Sequence, residues 1–173
     1  MLASTRTIWT AEEGSLPESN ASPRERLLEF YGRAFGVPEE DLSSLCVTEQ
    51  GAESWVASAQ FPPEVHTQRP PGLRALRWMP DGPKPTSTFL SALGERIRRA
   101  RIDLDLATLR ALLLGRRVPV ARPDSYVALS HRGLVLGCGR VQRSELHALI
   151  PTGRRRELLE VLEDTKPPET AKV

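Results

Sequence analysis

The sequence contains few cysteines and no long apolar run. Its two cysteines, Cys46 and Cys138, do not form a CxxC pair, which argues against a disulfide framework and a zinc site built on paired thiolates. We expect both to be small core residues. No run approaches the roughly 18 apolar residues of a membrane helix, and the acidic N-terminus has no hydrophobic signal region. The sequence therefore predicts a cytoplasmic protein.

Motifs of known catalytic sites are also missing. The chain has no GxSxG, HExxH or P-loop spacing, and no glycine-rich turn between a strand and a helix that would hold a nucleotide cofactor. Cys138 lies between two glycines in an apolar stretch, which favours burial over a reactive pairing with His131 or His147. We expect a binding protein that is not an enzyme and that uses neither a metal nor a cofactor.

Charge is strongly segregated along the chain, although the formal net charge is only +2. The net charge is −7 over residues 1–66, +12 over residues 67–156 and −3 from residue 157 onward. Of the 24 basic residues, 21 are arginines, and the guanidinium group both forks onto phosphate and stacks on bases. A basic middle segment favours nucleic acid as the partner, the alternative being an ordinary solvated surface.

The first half of the chain has local signals for a helix and three strands. Ser22-Pro23-Arg24-Glu25 has the form of a capping box with proline at the first helical position, and Gly36 supplies a stop. Residues 45–48 and 54–57 read as a hairpin around a glycine-containing turn, and residues 73–78 as a further strand. Between them lies a proline-punctuated connector.

Two helices and a set of strands are predicted in the rest of the chain. The hydroxyls at 86–88 offer a cap for a helix that carries Phe89 to Ile97 with Gly94 inside it, and Arg96, Arg98, Arg99 and Arg101 would complement the dipole at its end. Asp103 or Asp105 would cap the next helix, which Gly115 ends. Strands are predicted at 118–120, 126–130, 134–141 and 146–150, with a three-residue hairpin connection at 131–133. Gly137 and Gly139 share a strand face, which leaves a bulge, a barrel bend or a close ligand approach open.

Several segments together resemble a known family. KPTSTFLSALG, RIDLD, LRALLLGRRV, YVALSHRGLVLGCGRV and IPTGRRREL are similar to the C-terminal RNA-binding region of the Fmu/Sun-type RNA cytosine-5 methyltransferases. Stand-alone ribosome biogenesis proteins of that family are the most similar. The resemblance covers roughly residues 22–158 and implies an α+β fold in which a small α/β N-terminal part packs on a PUA-like β-barrel. The methyltransferase half is missing, and neither cysteine follows a proline as the family's nucleophile does.

The resemblance also implies which residues contact RNA, and together with the local sequence patterns it divides the chain into four parts. It places five residues on the RNA surface: Lys84, Arg140, Arg154, Arg155 and Arg156. The candidate set is completed by three residues in or beside the neighbouring strands, Arg132, Arg143 and His147. The expected parts are a flexible leader (1–21), an α+β subdomain (22–102), a PUA-like barrel subdomain (103–158) and an acidic flexible tail (159–173).

The predicted function is non-catalytic binding of structured ribosomal or transfer RNA in ribosome biogenesis or RNA modification. In the alternative, the chain is a protein-interaction subunit whose basic face meets an acidic partner or a separately encoded methyltransferase.

Overall fold

The computed structural model describes residues 21–58 and 70–164, with side chains up to residue 162. The predicted leader, apart from its last residue, and most of the predicted connector lie outside the described residues. The described chain combines helices with two β-sheets, as an α+β fold requires, and one sheet is curled into a half-barrel.

The first helix forms where the capping box predicts it. Helix α1 spans Pro23–Phe35; the Ser22 hydroxyl accepts a hydrogen bond from the Glu25 amide, and the Glu25 carboxylate accepts one from the Ser22 amide. These bonds satisfy two amides that the helix itself leaves unpaired. Gly36 ends the helix with a φ of 63°. Within the helix, the buried Tyr31 hydroxyl donates to the Ala75 carbonyl at 2.8 Å, which fixes α1 to the first sheet.

The first sheet is an antiparallel meander in the order β1-β2-β3-β4. Its strands are β1 (Leu45–Gln50), β2 (Glu53–Ser58), β3 (Leu73–Met79) and β4 (Gly82–Pro85), and a short helix α2 (Glu39–Leu42) precedes them. The prediction that Cys46 is a core residue is wrong. Strand alternation places Cys46 with Thr48 and Gln50 on the exposed face of β1.

The helix after the first sheet is shorter than the sequence predicts. Helix α3 spans Ser87–Leu93, capped by the Thr86 hydroxyl, and Gly94 ends it instead of lying inside it. Gly94 has a positive φ of 55° and begins a single 3-10 turn. Ile97 is still buried, but from the extended residues that follow the turn. Helix α4 spans Leu106–Leu113 and is capped by Asp105, one of the two predicted caps.

The second sheet has the order β5-β7-β8-β9-β6. Its strands are β5 (Arg101–Asp103), β6 (Val118–Pro119), β7 (Ser125–His131), β8 (Leu134–Gln142) and β9 (Glu145–Ala148). Because His131 pairs with Leu134, the β7–β8 connection has two residues rather than the predicted three. Arg132 and Gly133 take φ values of 49° and 81°, as a type I′ turn requires. Strand β9 ends at Ala148, before the predicted end at residue 150.

Two apolar clusters cover the two faces of the second sheet. The first core joins α1, α3 and the first sheet to residues of β7 and β8, among them Ala128 and Cys138. The second core joins α4 to residues such as Val127 and Val141 from the opposite face of the same strands. The prediction that Cys138 is a small core residue is confirmed, since it is 1% exposed. The second sheet is therefore the central layer of the fold.

The last described segment is a helix that the sequence did not predict, and residues 165–173 of the predicted tail lie outside the described residues. Helix α5 spans Thr152–Asp164, whereas residues 159–173 were expected to be a flexible tail. Leu158, Leu159 and Leu162 pack against the second core, so an apolar stripe anchors the helix. The arginines at 154–156 consequently lie in the first turns of α5. The expected boundary between residues 102 and 103 falls within β5, which pairs in parallel with β7.

Candidate nucleic-acid interface

Three polar side chains form a row across the second sheet. Arg140 on β8 is directly opposite Tyr126 on β7 and His147 on β9. Directly opposed residues project from the same face of a sheet, and Arg140 is two residues from Cys138 on β8. The row therefore lies on the face of the first core, beyond the point where that core ends.

Arg140 is largely buried but lacks a hydrogen-bond acceptor among the described residues. Its side chain is 19% exposed, and its guanidinium carbon lies 5.4 Å from the centre of the Tyr126 ring, within cation–π range. The nearest carboxylate belongs to Asp81 in the β3–β4 turn, at 3.7 Å from the guanidinium. At that separation the pair is electrostatic and not hydrogen-bonded. The planar donors of Arg140 are thus available to an external acceptor.

Residues on either side of Lys84 contact β8: the Asp81 carboxylate lies 3.7 Å from the Arg140 guanidinium, and the Ser87 hydroxyl accepts from the Cys138 amide at 3.0 Å. Burial raises the pKa of the Cys138 thiol to about 12, and the positive charges of Lys84 and Arg140 oppose that rise. Burial also lowers the pKa of His147, and the charges of Arg117, Arg140 and Lys84 lower it further. Lys84 and Arg140 thus act on the same two side chains, although 55 residues separate them in sequence.

We call Lys84, Arg117, Arg140 and His147 the cationic strip. Arg117 directly precedes β6, which pairs with β9, and it forms an ion pair with Glu145 at 3.2 Å. Among the described residues, Lys84 has no ion pair. His147 is held neutral near pH 7 because its pKa lies below the ordinary value. The strip therefore combines permanent cations with an uncharged imidazole that can still donate or accept a hydrogen bond.

The two predicted turn arginines lie at opposite ends of β8. Arg143 is in the β8–β9 turn, on the same end of the strand as Arg140, and its backbone amide donates to Asp124. Arg132 is in the β7–β8 turn at the other end of this nine-residue strand. At about 3.3 Å per residue the two turns are roughly 30 Å apart. Arg143 is therefore three residues from Arg140 along the chain, whereas Arg132 is far from the strip.

The arginines of α5 are on the other side of the second sheet. Helix α5 packs on the second core, whereas Arg140 projects from the face of the first. Arg154 forms an ion pair with Glu157 at 2.8 Å, and Arg155 donates to the Thr152 hydroxyl at 3.1 Å. Arg156 is exposed and has no ion pair among the described residues. The candidate residues thus form at least two separate groups.

Other arginines of the basic segment bind the chain itself. The Arg99 guanidinium donates to the Gly32 carbonyl, and the backbone amides of Arg98 and Arg99 donate to Phe35. These contacts complement the C-terminus of α1 and not, as predicted, that of α3. Arg101 donates to Ser130 and Gly133. Part of the positive charge therefore has a structural role.

Sequence reasoning missed Arg117, Tyr126 and Asp81 as members of the site. The signal for Asp81 was present, because Pro80-Asp81-Gly82 is a typical turn and fixes the Arg77–Lys84 pairing of β3 with β4. Arg117 and Tyr126 had no comparable signal, since the strand order that brings them to Arg140 is non-local.

Comparisons with known proteins assign the chain to no family: no protein-family model matches it, and no curated protein does so either. Within the described residues, no helix is long and apolar enough to cross a membrane. The same part of the chain has no group of three or more metal-ligating side chains.

Proposed function

We propose that this chain is an RNA-binding protein without catalytic activity of its own, and that the cationic strip contacts the RNA backbone. In this proposal the RNA is ribosomal or transfer RNA, and the protein acts in the cytoplasm in ribosome biogenesis or RNA modification. The resemblance of residues 22–158 to RNA-binding regions supports that role. On the same resemblance, we also propose that a separately encoded methyltransferase is a partner.

The environment of Arg140 is the observation that carries the proposal. The Arg140 side chain is 19% exposed and has no hydrogen-bond acceptor among the described residues, so its guanidinium donors are open to an external acceptor. Lys84 and Arg117 add positive charge to the same region. A phosphate group would supply acceptor oxygens in the bidentate geometry that arginine favours, and it would offset the mutual repulsion of the cations.

Recognition of shape and backbone fits this site better than reading of bases. The Arg140 guanidinium covers one face of the Tyr126 ring, and Tyr126 is partly buried against the first core, so little of the ring is left for a base to stack on. Phosphate contacts position a protein on RNA, and structured RNA is recognised largely through its shape and backbone. We therefore expect weak dependence on sequence and strong dependence on salt.

The test is a fluorescence-anisotropy titration of a structured RNA against the full chain over a series of salt concentrations. Arg140→Gln and Lys84→Gln should each weaken binding and reduce the salt slope by about 0.7 to 0.9, the value for one lost phosphate contact. Arg132→Gln is the matched control, since Arg132 is exposed at the far end of β8, and it should leave affinity and slope unchanged. No RNA binding, or equal losses in all three variants, would contradict the proposal.

A further inference from the structure

A second pair of cations lies next to the strip on the first sheet. Arg77 on β3 is directly opposite Lys84 on β4, so their side chains project from the same face at a Cβ separation of about 5 Å. Leu76 and Pro85 are the neighbouring pair, and both are buried against the first core. Strand alternation therefore directs Arg77 and Lys84 to the opposite, outer face of the sheet.

The chain provides a carboxylate beside Arg77 but pairs it with another arginine. Glu53 on β2 is the cross-strand partner of Arg77, yet its carboxylate binds Arg74 at 2.6 Å. Among the described residues, neither Arg77 nor Lys84 has an ion pair. Like charges directly opposed on a sheet destabilise it, and here the fold retains such a pair while the neighbouring carboxylate of Glu53 is bound to Arg74.

The outer face of the first sheet is accessible around Arg77. Thr48 and Gln50 of β1 are exposed, as are Arg74 and Arg77 of β3. Lys84 is on β4, an edge strand of this sheet, between Asp81, whose carboxylate lies 3.7 Å from Arg140, and Ser87, whose hydroxyl accepts from the Cys138 amide. The edge that carries Lys84 is therefore next to the second sheet, and Lys84 is a member of the cationic strip that projects from the outer face.

We propose that Arg77 and Lys84 form a second phosphate-binding position, so that one RNA strand passes from Arg140 across β4 onto the outer face of the first sheet. This inference rests on the proposed function and extends the contact beyond the second sheet. The unneutralised Arg77–Lys84 pair favours a polyanion with closely spaced charges. In this arrangement Lys84 lies between two consecutive phosphate contacts, one at Arg140 and one at Arg77.

The experiment compares Arg77→Gln, Arg140→Gln, the double variant and Arg132→Gln in the same salt-dependent titration. Arg77→Gln should weaken binding and lower the salt slope by about 0.7 to 0.9, and the double variant should lose about twice that slope. Circular dichroism and a melting curve establish that Arg77→Gln is folded. A photo-crosslink from RNA containing 4-thiouridine should map to the β3 peptide, Leu73–Met79, and should be lost in Arg77→Gln.

The outcomes separate this inference from the proposed function. A loss in Arg140→Gln with wild-type binding and an unchanged β3 crosslink in Arg77→Gln would overturn the extension alone. Wild-type binding in every variant, or no binding by the wild type, would overturn the proposed function as well. An acidic polypeptide whose binding requires Arg77, while RNA binding does not, would identify the outer face as a protein-binding surface and would also overturn the extension.

Discussion

Asp81 competes with RNA for Arg140 if the strip binds phosphate. The Asp81 carboxylate lies 3.7 Å from the guanidinium, without a hydrogen bond, and its negative charge repels an incoming phosphate. Asp81→Asn keeps the size of the side chain and removes that charge. We therefore expect Asp81→Asn to bind RNA more tightly than the wild type and to show a steeper dependence on salt.

The size of the effect follows from the geometry. The side chains of Arg140 and Asp81 are 19% and 45% exposed, so water screens the pair on the carboxylate side. Measured ion pairs of this kind contribute about 0.2 to 1 kcal/mol, and 1 kcal/mol corresponds to about a fivefold change in affinity. Asp81→Asn should thus raise RNA affinity by about 1.4-fold to about fivefold and lower the free energy of unfolding by about 0.2 to 1 kcal/mol.

The test is informative because Asp81→Asn should raise the RNA affinity while it lowers the free energy of unfolding. Fluorescence anisotropy at two salt concentrations measures the affinity, and urea denaturation measures the stability. The control is Glu29→Gln, which removes the ion pair with Arg33 within α1 and changes the net charge equally. An unchanged or lower affinity in Asp81→Asn would refute the reasoning, as would an equal gain in Glu29→Gln.

Two further predictions concern the packing beneath the strip. The Ser87 hydroxyl accepts from the Cys138 amide at 3.0 Å and donates to the Leu149 carbonyl at 3.2 Å, so Ser87→Ala should lower the free energy of unfolding by about 2 kcal/mol. Ser43→Ala, at an exposed hydroxyl, should lower it by less than about 0.5 kcal/mol, and equal urea midpoints would contradict the assignment. A thiol reagent should modify the exposed Cys46 readily. It should modify the buried Cys138, whose thiol has a pKa of about 12, only after unfolding. Two readily modified thiols in the native protein would show that Cys138 is not buried in the first core.

Elements with strong local signals were predictable from the sequence. The capping box at Ser22 and Glu25 predicted the start of α1 because its hydrogen bonds form within four residues. The two candidate caps, Asp103 and Asp105, predicted the start of α4 to within two residues for the same reason, and Asp105 is the cap. The alternating stretches at β1, β2 and β7 were also recognised, because period two needs no knowledge of the partner strand.

Elements that depend on tertiary packing were not predictable in the same way. Helix α5 begins with Thr152 and Gly153 and three arginines, which do not distinguish a helix from a loop. Its stability comes from Leu158 and Leu162 packing on the second core, and most helical stability in proteins has this origin. Gly94 ended α3 instead of interrupting it, because a positive φ at glycine carries no steric penalty.

The candidate site shows how a charge count and a fold differ as guides to function. The basic segment has a net charge of +12, but Arg99 and Arg101 bind backbone carbonyls of the chain, and Arg154 binds a carboxylate of its own helix. Such cations have less to gain from a phosphate, because each contact with RNA would replace an existing one. Among the described residues, Arg77 and Lys84 have no such contact. Side chains of that kind should therefore contribute more to the salt dependence of RNA binding than Arg154, Arg99 or Arg101.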